Sequence, residues 1–550
     1  MTPEIIQRLF PEALPDIAEI EAKYPIRQLQ AGQKVTRVAP SPTGYLHIGG
    51  LYAGLVSERL AHQSEGVFYL RVEDTDQKRL VPEAVDIITK AYNRFGVFID
   101  EGVLPDGTDK GNYGPYTQSK RRLIYLAYAK KLVEEGLAYP CFCSEDDLTV
   151  MRRVQEKQSL RPGYYGRFAK CRRLTDEQIL ENLNAGKPYV LRFKSGGDSE
   201  KRLQIKDLMK GALSLPENDL DIVLIKGDGL PMYHFAHAVD DHLMGTTHVI
   251  RGDEWLSSVP LHIQLFVALG WKAPKYGHYA PLQKSENGNK RKISKRHDPE
   301  ANVMFFVEKG YPEVAVIEYL LNLINASFED WRRANPDKDA FSFQMNFNKI
   351  SNTGGALFDF QKLNSISKEV IARMSAGQVY DAVLEWAKAY CPSFADRMRH
   401  NREYMIRIFD IERNIGKKSR KDFIKWEDIP SDVTYFFDDL LDLSKNKELL
   451  SNFNVEDIRH IALDFSKIYA VSDDKETWFS KIKLVGEKHG FAGDMKSWRD
   501  NPTSFKGSVA DVAKILRVLI TGRDQTPDLY AIMAILGETV VKSRLTQKQE

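Results

Sequence analysis

Cysteine is scarce in this chain: four residues in 550, at positions Cys141, Cys143, Cys171 and Cys391. So few exclude a disulfide scaffold and suit a reducing compartment. Long apolar runs are missing as well, and no window reaches the uninterrupted length a membrane span needs. The opening stretch MTPEIIQRLFPEALPDIAEIEAKYP mixes acids and prolines and lacks the apolar centre of a secretion signal. A cytoplasmic protein with no membrane contact is therefore expected. An excess of one charge is absent: 78 Lys and Arg stand against 76 Asp and Glu, a net charge of +2. A nucleic-acid partner is compatible with that balance only if the basic surface is local. There is no internal repeat and no low-complexity tract. What remains is ordinary globular composition, 43% hydrophobic and 28% charged, long enough for several domains with separate cores.

Residues 1–33 read as a short helical extension. From 34 to 110 the pattern alternates: a β-branched run, KVTRVAP, then LYAGLVSERLAHQ with Tyr52, Leu55, Val56 and Leu60 on one helical face. The strand-like GVFYLRVED follows, and then EAVDIITKAYNRFG, which places Val85, Ile88, Tyr92 and Phe95 at helical spacing and ends on Gly96 as a C-cap. Strand, helix, strand, helix is a parallel α/β unit. The pattern breaks over 111–215, which carries CFC and the glycine-rich SGGDSE. It resumes over 216–285, with strands expected in DIVLIKGDG and THVIRGDEW around MYHFAHAVDDHLMG. One α/β domain split by an insertion accounts for this order. A further region, which opens on a basic run, spans 286–370. From 371 to 550 helical spacing dominates, as in VADVAKILRVLITG and LYAIMAILGE.

The residues hardest to explain by packing are APSPTGYLHIGG. Prolines stiffen a strand-to-helix crossing, Gly44, Gly49 and Gly50 let backbone approach a ligand, and free N–H groups at the helix start favour an anion. His47 stands at that helix N-terminus, placed to donate to phosphate oxygens. On loop composition alone, a phosphate loop and a tight turn with a packed histidine weigh equally. The run NKRKISKRHD gathers Lys290, Arg291, Lys292, Lys295 and Arg296 around Ser294, which suits either a solvated face or a clamp on a triphosphate.

Together these stretches resemble the two signatures of class I aminoacyl-tRNA synthetases: HIGG the one usually written HIGH, KISKR the one usually written KMSKS. With LRVEDTD, YHFAHAVDDHLMGTTHVIRGDEWLSS and GGALFDFQKL, the stretch from about 34 to 370 is similar to the bacterial glutamyl branch, where Gly50 in place of the final histidine is common. The resemblance implies a Rossmann-like catalytic domain split by an insertion that binds the tRNA acceptor end, then a domain over 286–370 that carries the KMSKS-like loop and contacts the tRNA stem, followed by an all-α anticodon-binding region over 371–550. It implies activation of L-glutamate with ATP and Mg²⁺, dependent on bound tRNA, and transfer to tRNA-Glu, with tRNA-Gln left open, by a monomer. It assigns Arg37, Ala39, Ser41, Glu73, Tyr233 and Arg251 to glutamate, with the two arginines as carboxylate partners, Glu73 for the ammonium and Tyr233 as wall and donor. It assigns His47, Gly49, Gly50, Glu254, Trp255, Ser294 and Lys295 to ATP, with His47, Lys292 and Lys295 acting on the phosphates. Alone, Arg37 or Arg251 reads as a structural ion pair and Tyr233 as core.

Basic and aromatic groups in YYGRFAKCRRL and SKRRL are candidate RNA contacts in the insertion, and GKKSRK (416–421) a candidate in the helical region; each is equally readable as solvated surface. Some members of the family hold a structural zinc in the insertion. Cys141, Cys143 and Cys171 are one ligand short of four, the spacing from Tyr164 or Tyr165 to Cys171 is long, and buried thiols are the favoured reading. Glutaminyl-tRNA synthetases are the nearest alternative, but their C-terminal domains are β-barrels. A non-catalytic tRNA-binding scaffold would not need both ATP signatures, and a small-molecule nucleotidyltransferase would not need the long helical end.

Overall fold

After Lys34 the residues VTRV form β1 (Val35–Val38), buried along its whole length; β-branched side chains suit a strand covered on both faces. The chain then crosses to α1 (Ile48–His62) through a loop in which Gly44 adopts a φ of +125°, a conformation that favours glycine. Strand β2 (Val67–Leu70) pairs in parallel with β1, with Arg37 opposite Tyr69. Helix α2 (Ala84–Arg94) is followed by Gly96 at φ +73°, the expected stop, and β3 (Glu101–Val103) extends the sheet beyond β2. The computed structural model describes residues 1–350, 356–413 and 419–547. They fall into two compact units, Met1–Phe305 with Ile317–Asp359, and Phe306–Val316 with Phe360–Glu550.

In the first unit the α/β pattern resumes with α3 (Tyr233–Leu243), β4 (His248–Gly252), α4 (Val259–Ala268) and β5 (Lys275–Tyr279), β4 and β5 running parallel. Thr247 joins this pair to β1: its N–H donates to the Val35 carbonyl (3.0 Å) and its hydroxyl accepts the Val35 N–H (2.8 Å). The parallel strands therefore run β3-β2-β1 and then β4-β5, and the order switches between β1 and β4. In an open α/β sheet, ligands bind in the crevice outside the carboxyl ends of the strands at such a switch. Arg37 in β1 and Arg251 in β4 stand there.

Between the halves lies an antiparallel sheet of Ala138–Cys141, Val190–Phe193 and Val223–Ile225, and a hairpin of Arg202–Asp207 with Gly211–Pro216. The strand in DIVLIKGDG, expected in the second half of the parallel sheet, pairs instead with the insertion's Val190–Phe193. Its buried Leu224 and Ile225 join the core under helix Arg122–Glu134, and a short apolar run cannot announce which sheet it will join. The N-terminal extension forms helices Pro3–Leu9 and Ile17–Lys23, capped by Thr2 and Asp16, and puts Ile5, Leu9 and Ile20 into that same core.

At the end of α1, His62 bridges two carboxylates, Nδ1 at 2.6 Å from Glu58 and Nε2 at 2.8 Å from Asp100. Hydrogen bonds to Asp100 and Glu58 outweigh partial burial and push its pKa from 6.5 up to about 9. A group whose folded pKa is raised stabilises the fold fully below its unfolded value, and the contribution disappears as pH rises through the folded one. The melting temperature is therefore expected to fall between pH 6.5 and about 9, and His62→Asn to flatten that slope. Parallel slopes for the two proteins would rule out this bridge as the source.

The second unit is helical among its described residues. Helices Ala376–Tyr390, Val455–Ile468, Lys475–Lys488 and Val509–Thr521 enclose a core that includes Val379, Phe465, Ile482 and Leu516. The last of these helices ends on Gly522 at φ +69°, as VADVAKILRVLITG predicts. Of the basic GKKSRK stretch, Gly416–Lys418 lie outside the described residues, while Arg420 pairs with Asp422 and Lys421 with Glu369 (2.6 Å).

Candidate active site

A cleft of about 420 Å³ opens at the carboxyl ends of β1 and β4. Every residue expected at the glutamate and ATP positions lines it except Ser294. At one end the loop after β1 delivers His47 as the N-cap of α1. Its Nδ1 accepts the Gly49 N–H at 2.9 Å, which leaves the proton of the neutral ring on Nε2. Burial, then the charges of Lys295 and Lys292, lower its pKa to about 4. The imidazole is thus neutral and hydrogen-bonded to the Ile293 backbone, and the Gly50 N–H donates to the His47 carbonyl (2.7 Å), so what this end of the cleft offers an anion is the positive N-terminal end of α1. Gly50 leaves little room: a Cβ there would lie 3.0 Å from Leu46 Cδ1, and the Tyr92 hydroxyl donates to its carbonyl at 2.9 Å.

The basic loop closes over this end. Strands β6 (Leu282–Glu286) and β7 (Asn289–Lys292) form a hairpin, and the turn that follows docks on the first loop through Tyr45. The Tyr45 hydroxyl donates to the Lys295 carbonyl (2.9 Å), and Lys295 Nζ donates to the Tyr45 carbonyl (3.3 Å). Lys292 pairs with Glu254 (3.0 Å). Ser294 serves the turn itself: Asp298 accepts its N–H (2.8 Å) while also gripping Arg291 with both oxygens (2.6 and 2.8 Å). Of the basic run, then, Lys292 and Lys295 face the cleft and Arg291 holds the loop's shape.

At the other end the two arginines differ. Arg37 points its Nε at both oxygens of the buried Asp241 (3.2 and 3.3 Å), so it is half committed to a structural pair. Arg251 is buried too, yet among the described residues it has no carboxylate partner. Its Nε donates to His278 Nε2 (3.0 Å), one Nη lies 3.2 Å from His262 Nδ1, and the other is 3.4 Å from the Tyr233 hydroxyl. These acceptors are neutral, because burial lowers the pKa of His278 and takes His262 well below the usual value. A buried guanidinium facing a cleft with only neutral neighbours favours an anionic ligand. Tyr233 forms the wall beside it, its ring 4.4 Å from Trp255 and stacked on His237. Glu73 reaches the same cleft after β2, its backbone N–H donating to Pro40 (3.1 Å) and its side chain accepting from Arg71 (3.1 Å).

Beneath the cleft is a buried ionic layer that the motifs do not announce. Asp241 receives Arg71 (2.7 Å) and Arg37, and Asp240 receives Arg121 (2.7 Å) with the Tyr125 hydroxyl (2.9 Å). Burial opposes ionisation of Asp241, but Arg37 and Arg71 hold its pKa well below the ordinary range. One signal was available: Tyr233, His237 and Asp241 recur every four residues, hence on one face of α3. Arg121 of SKRRL belongs to this layer, which removes it from the candidate RNA contacts; a charge so placed is held by Asp240 and cannot reach solvent.

Residues 33–364 match the family described as tRNA synthetases class I (E and Q), catalytic domain, and residues 503–548 match an anticodon binding domain. A glutamate–tRNA ligase of Clostridium perfringens is 49% identical over 95% of this chain and 96% of its own length. One of Sorangium cellulosum is 45% identical, covering 96% and 97% respectively. The crystal structure of a glutamate tRNA ligase from Elizabethkingia meningosepticum, in complex with its amino acid, matches 94% of this chain and 99% of that one, with a TM-score of 0.73 at 27% identity. The chain belongs to the glutamate–tRNA ligase family.

The synthetase's insertion gathers its thiols more closely than the spacing suggests. The sulfur atoms of Cys141, Cys143 and Cys171 lie within 4.8 Å of one another. The Tyr164 hydroxyl is 3.4 Å from Cys141 and 3.3 Å from Cys143, and it accepts the Cys171 N–H (3.1 Å). Two short helical turns, Gly166–Phe168 and Lys170–Arg173, coil up the long spacer and bring Cys171 back to the phenol. Hydrogen bonding from Cys143, then Cys171, pulls the Cys141 thiol far below its usual pKa and pushes Cys143 up. In the synthetase as a whole, no helix among the described residues is long and apolar enough to cross a membrane.

Proposed function

We propose that this chain activates L-glutamate with ATP and transfers it to the 3′ end of tRNA-Glu. The observation that carries the choice of amino acid is Arg251: a buried cation with neutral partners only, at the switch point of a nucleotide-binding sheet. Arg251 receives one carboxylate of glutamate, Arg37 the other, and Glu73 the ammonium, with Tyr233 as wall and donor and Ala39 and Ser41 completing the pocket. The α-carboxylate oxygen attacks the α-phosphorus of ATP, forming the acyl phosphate bond as the bond to pyrophosphate breaks. A ribose hydroxyl of the terminal adenosine then attacks the acyl carbon, its proton is lost, and AMP leaves. Neither step needs a covalent enzyme nucleophile, so positioning and charge stabilisation do the catalysis. His47 and the positive N-terminal end of α1 at Gly49 and Gly50 hold the phosphates. Lys295, supported by Lys292, offsets charge growing on pyrophosphate, and Trp255 and Glu254 flank the nucleotide. Mg²⁺ brought with ATP would supply charge neutralisation at the phosphates; Glu254, paired with Lys292 in this structure, is the cleft carboxylate that would face it at that end.

The insertion over 111–215 takes the acceptor end, where Arg173 and Lys194 line a groove beside Ser195–Gly197, and the helical region over 371–550 reads the anticodon. Four free thiols fit a reducing cytoplasm, where we place the enzyme. The experiment is ATP–pyrophosphate exchange with glutamate or glutamine, with and without tRNA-Glu. Exchange is expected with glutamate only when the RNA is present. Exchange with glutamine overturns the amino-acid assignment, and no exchange from folded, tRNA-binding protein overturns catalysis itself. Charging of tRNA-Gln transcripts decides the range of RNA substrates.

We further propose that Cys141, Cys143 and Cys171, with Tyr164 as fourth donor, hold a structural zinc. Three thiols sharing one small volume, one of them strongly acidified, are a donor set suited to that ion. Zinc would crosslink the insertion and take no part in either chemical step. Purified protein should carry about one zinc per chain, lost in Cys143→Ser; a folded, active protein purified without zinc would refute the assignment.

A further inference from the structure

The cleft's unpaired guanidinium is aimed by residues that do not themselves line the cleft. Arg251 Nε donates to His278 Nε2 at 3.0 Å, and the other ring nitrogen, Nδ1, lies 2.6 Å from Asp207 Oδ2. All three side chains are buried. Arginine only donates and an ionised carboxylate only accepts. The ring between them must therefore carry its proton on Nδ1 and present a lone pair at Nε2. Asp207 is ionised: burial pushes its pKa up, but hydrogen bonds from the His278 ring and from the Lys210 and Met209 N–H groups hold it below the usual value. It belongs to the hairpin Arg202–Asp207 and Gly211–Pro216, whose turn is pinned to β5 by the Leu208 N–H on the Tyr276 carbonyl (2.9 Å).

We propose that Asp207 and His278 are positioning residues for glutamate: the insertion's carboxylate fixes the tautomer of His278, and that tautomer holds Arg251 in the orientation that meets the substrate carboxylate. Neither residue touches substrate. The inference rests on the reading of Arg251 as a carboxylate partner. It makes the glutamate site depend on a hairpin outside the parallel sheet, two hydrogen bonds away from Arg251.

The variant Asp207→Asn separates tautomer control from hairpin structure. The amide oxygen can still accept the Met209 and Lys210 N–H groups, which places its NH₂ against His278 Nδ1. The ring must then accept at Nδ1 and carry its proton on Nε2, where it meets the Arg251 Nε–H donor to donor. Steady-state charging with tRNA present should show a glutamate KM raised about 10- to 100-fold, as expected when a hydrogen bond to a charged group is lost, with the ATP KM within about 3-fold. His278→Gln supplies an acceptor oxygen near Nε2 whatever residue 207 is, so in that background Asp207→Asn should add less than about 3-fold. A glutamate KM unchanged by Asp207→Asn, or raised equally in both backgrounds, overturns the proposal. If Asp207→Asn does not fold, ¹⁵N-histidine spectra of the wild-type protein decide the point, with His278→Gln identifying the signal: Nε2 must be the unprotonated nitrogen, and a proton there overturns it. Arg251→Gln in the same assay tests the underlying reading separately. Should it leave the glutamate KM untouched, the carboxylate assignment fails; should it raise the KM while Asp207→Asn does not, only the positioning role fails.

Discussion

Replacing Arg251 by glutamine is expected to raise the KM for glutamate by about 100-fold or more, leave the KM for ATP within a few-fold, and cost little stability. The guanidinium is buried against His278, His262 and Tyr233 and has no carboxylate partner among the described residues. A charge-assisted pair with a substrate carboxylate in such a site is worth roughly 3 kcal/mol, about two powers of ten in affinity. Because no protein carboxylate loses its partner, the fold is spared the penalty of an orphaned buried anion. Arg37 is the instructive contrast. Its Nε is paired with Asp241 at 3.2 Å, so Arg37→Gln removes a counter-ion from the ionic layer and should lower the melting temperature as well as the affinity; breaking a buried pair costs about 3–5 kcal/mol. Steady-state charging kinetics with thermal melts of both variants make the comparison. Equal effects on glutamate and ATP, or a large stability loss in Arg251→Gln, would overturn the distinction between the two arginines.

Lys295→Ala is expected to lower the rate of adenylate formation by about 10²- to 10³-fold, the range seen when one donor to developing charge is removed, with the glutamate KM little changed. Lys295 is held over the first loop by Tyr45, its Nζ 4.9 Å from the tyrosine ring centre and 3.3 Å from the backbone carbonyl. Both contacts are weak enough to give way when a triphosphate arrives. Lys292 is exposed and paired with Glu254, so Lys292→Ala should cost less, about 10-fold. Single-turnover reactions with tRNA bound resolve these steps. A Lys295→Ala rate within about 3-fold of the parent would remove this residue from the phosphate chemistry.

Local elements with strong spacing were legible without coordinates. The strand–loop–helix from Val35 through α1, the stop at Gly96 and the helix closed by Gly522 depend on residues near one another in the chain, where hydrophobic period and glycine conformation are decisive. The stretches HIGG and KISKR were legible for the same reason, since each is a run of consecutive residues at the cleft.

By itself, then, the sequence determined that a split α/β domain precedes a helical region, and which loops line the cleft. Only the tertiary structure decided which sheet Val223–Ile225 joins, that Arg121 is buried against Asp240, that Arg37 is paired while Arg251 is not, and that the Tyr164 hydroxyl reaches two sulfurs and the Cys171 N–H across a coiled spacer. Each of these depends on partners distant in the chain. Burial and charge pairing are set by what comes to lie alongside, and residue identity at one position carries no record of that neighbour.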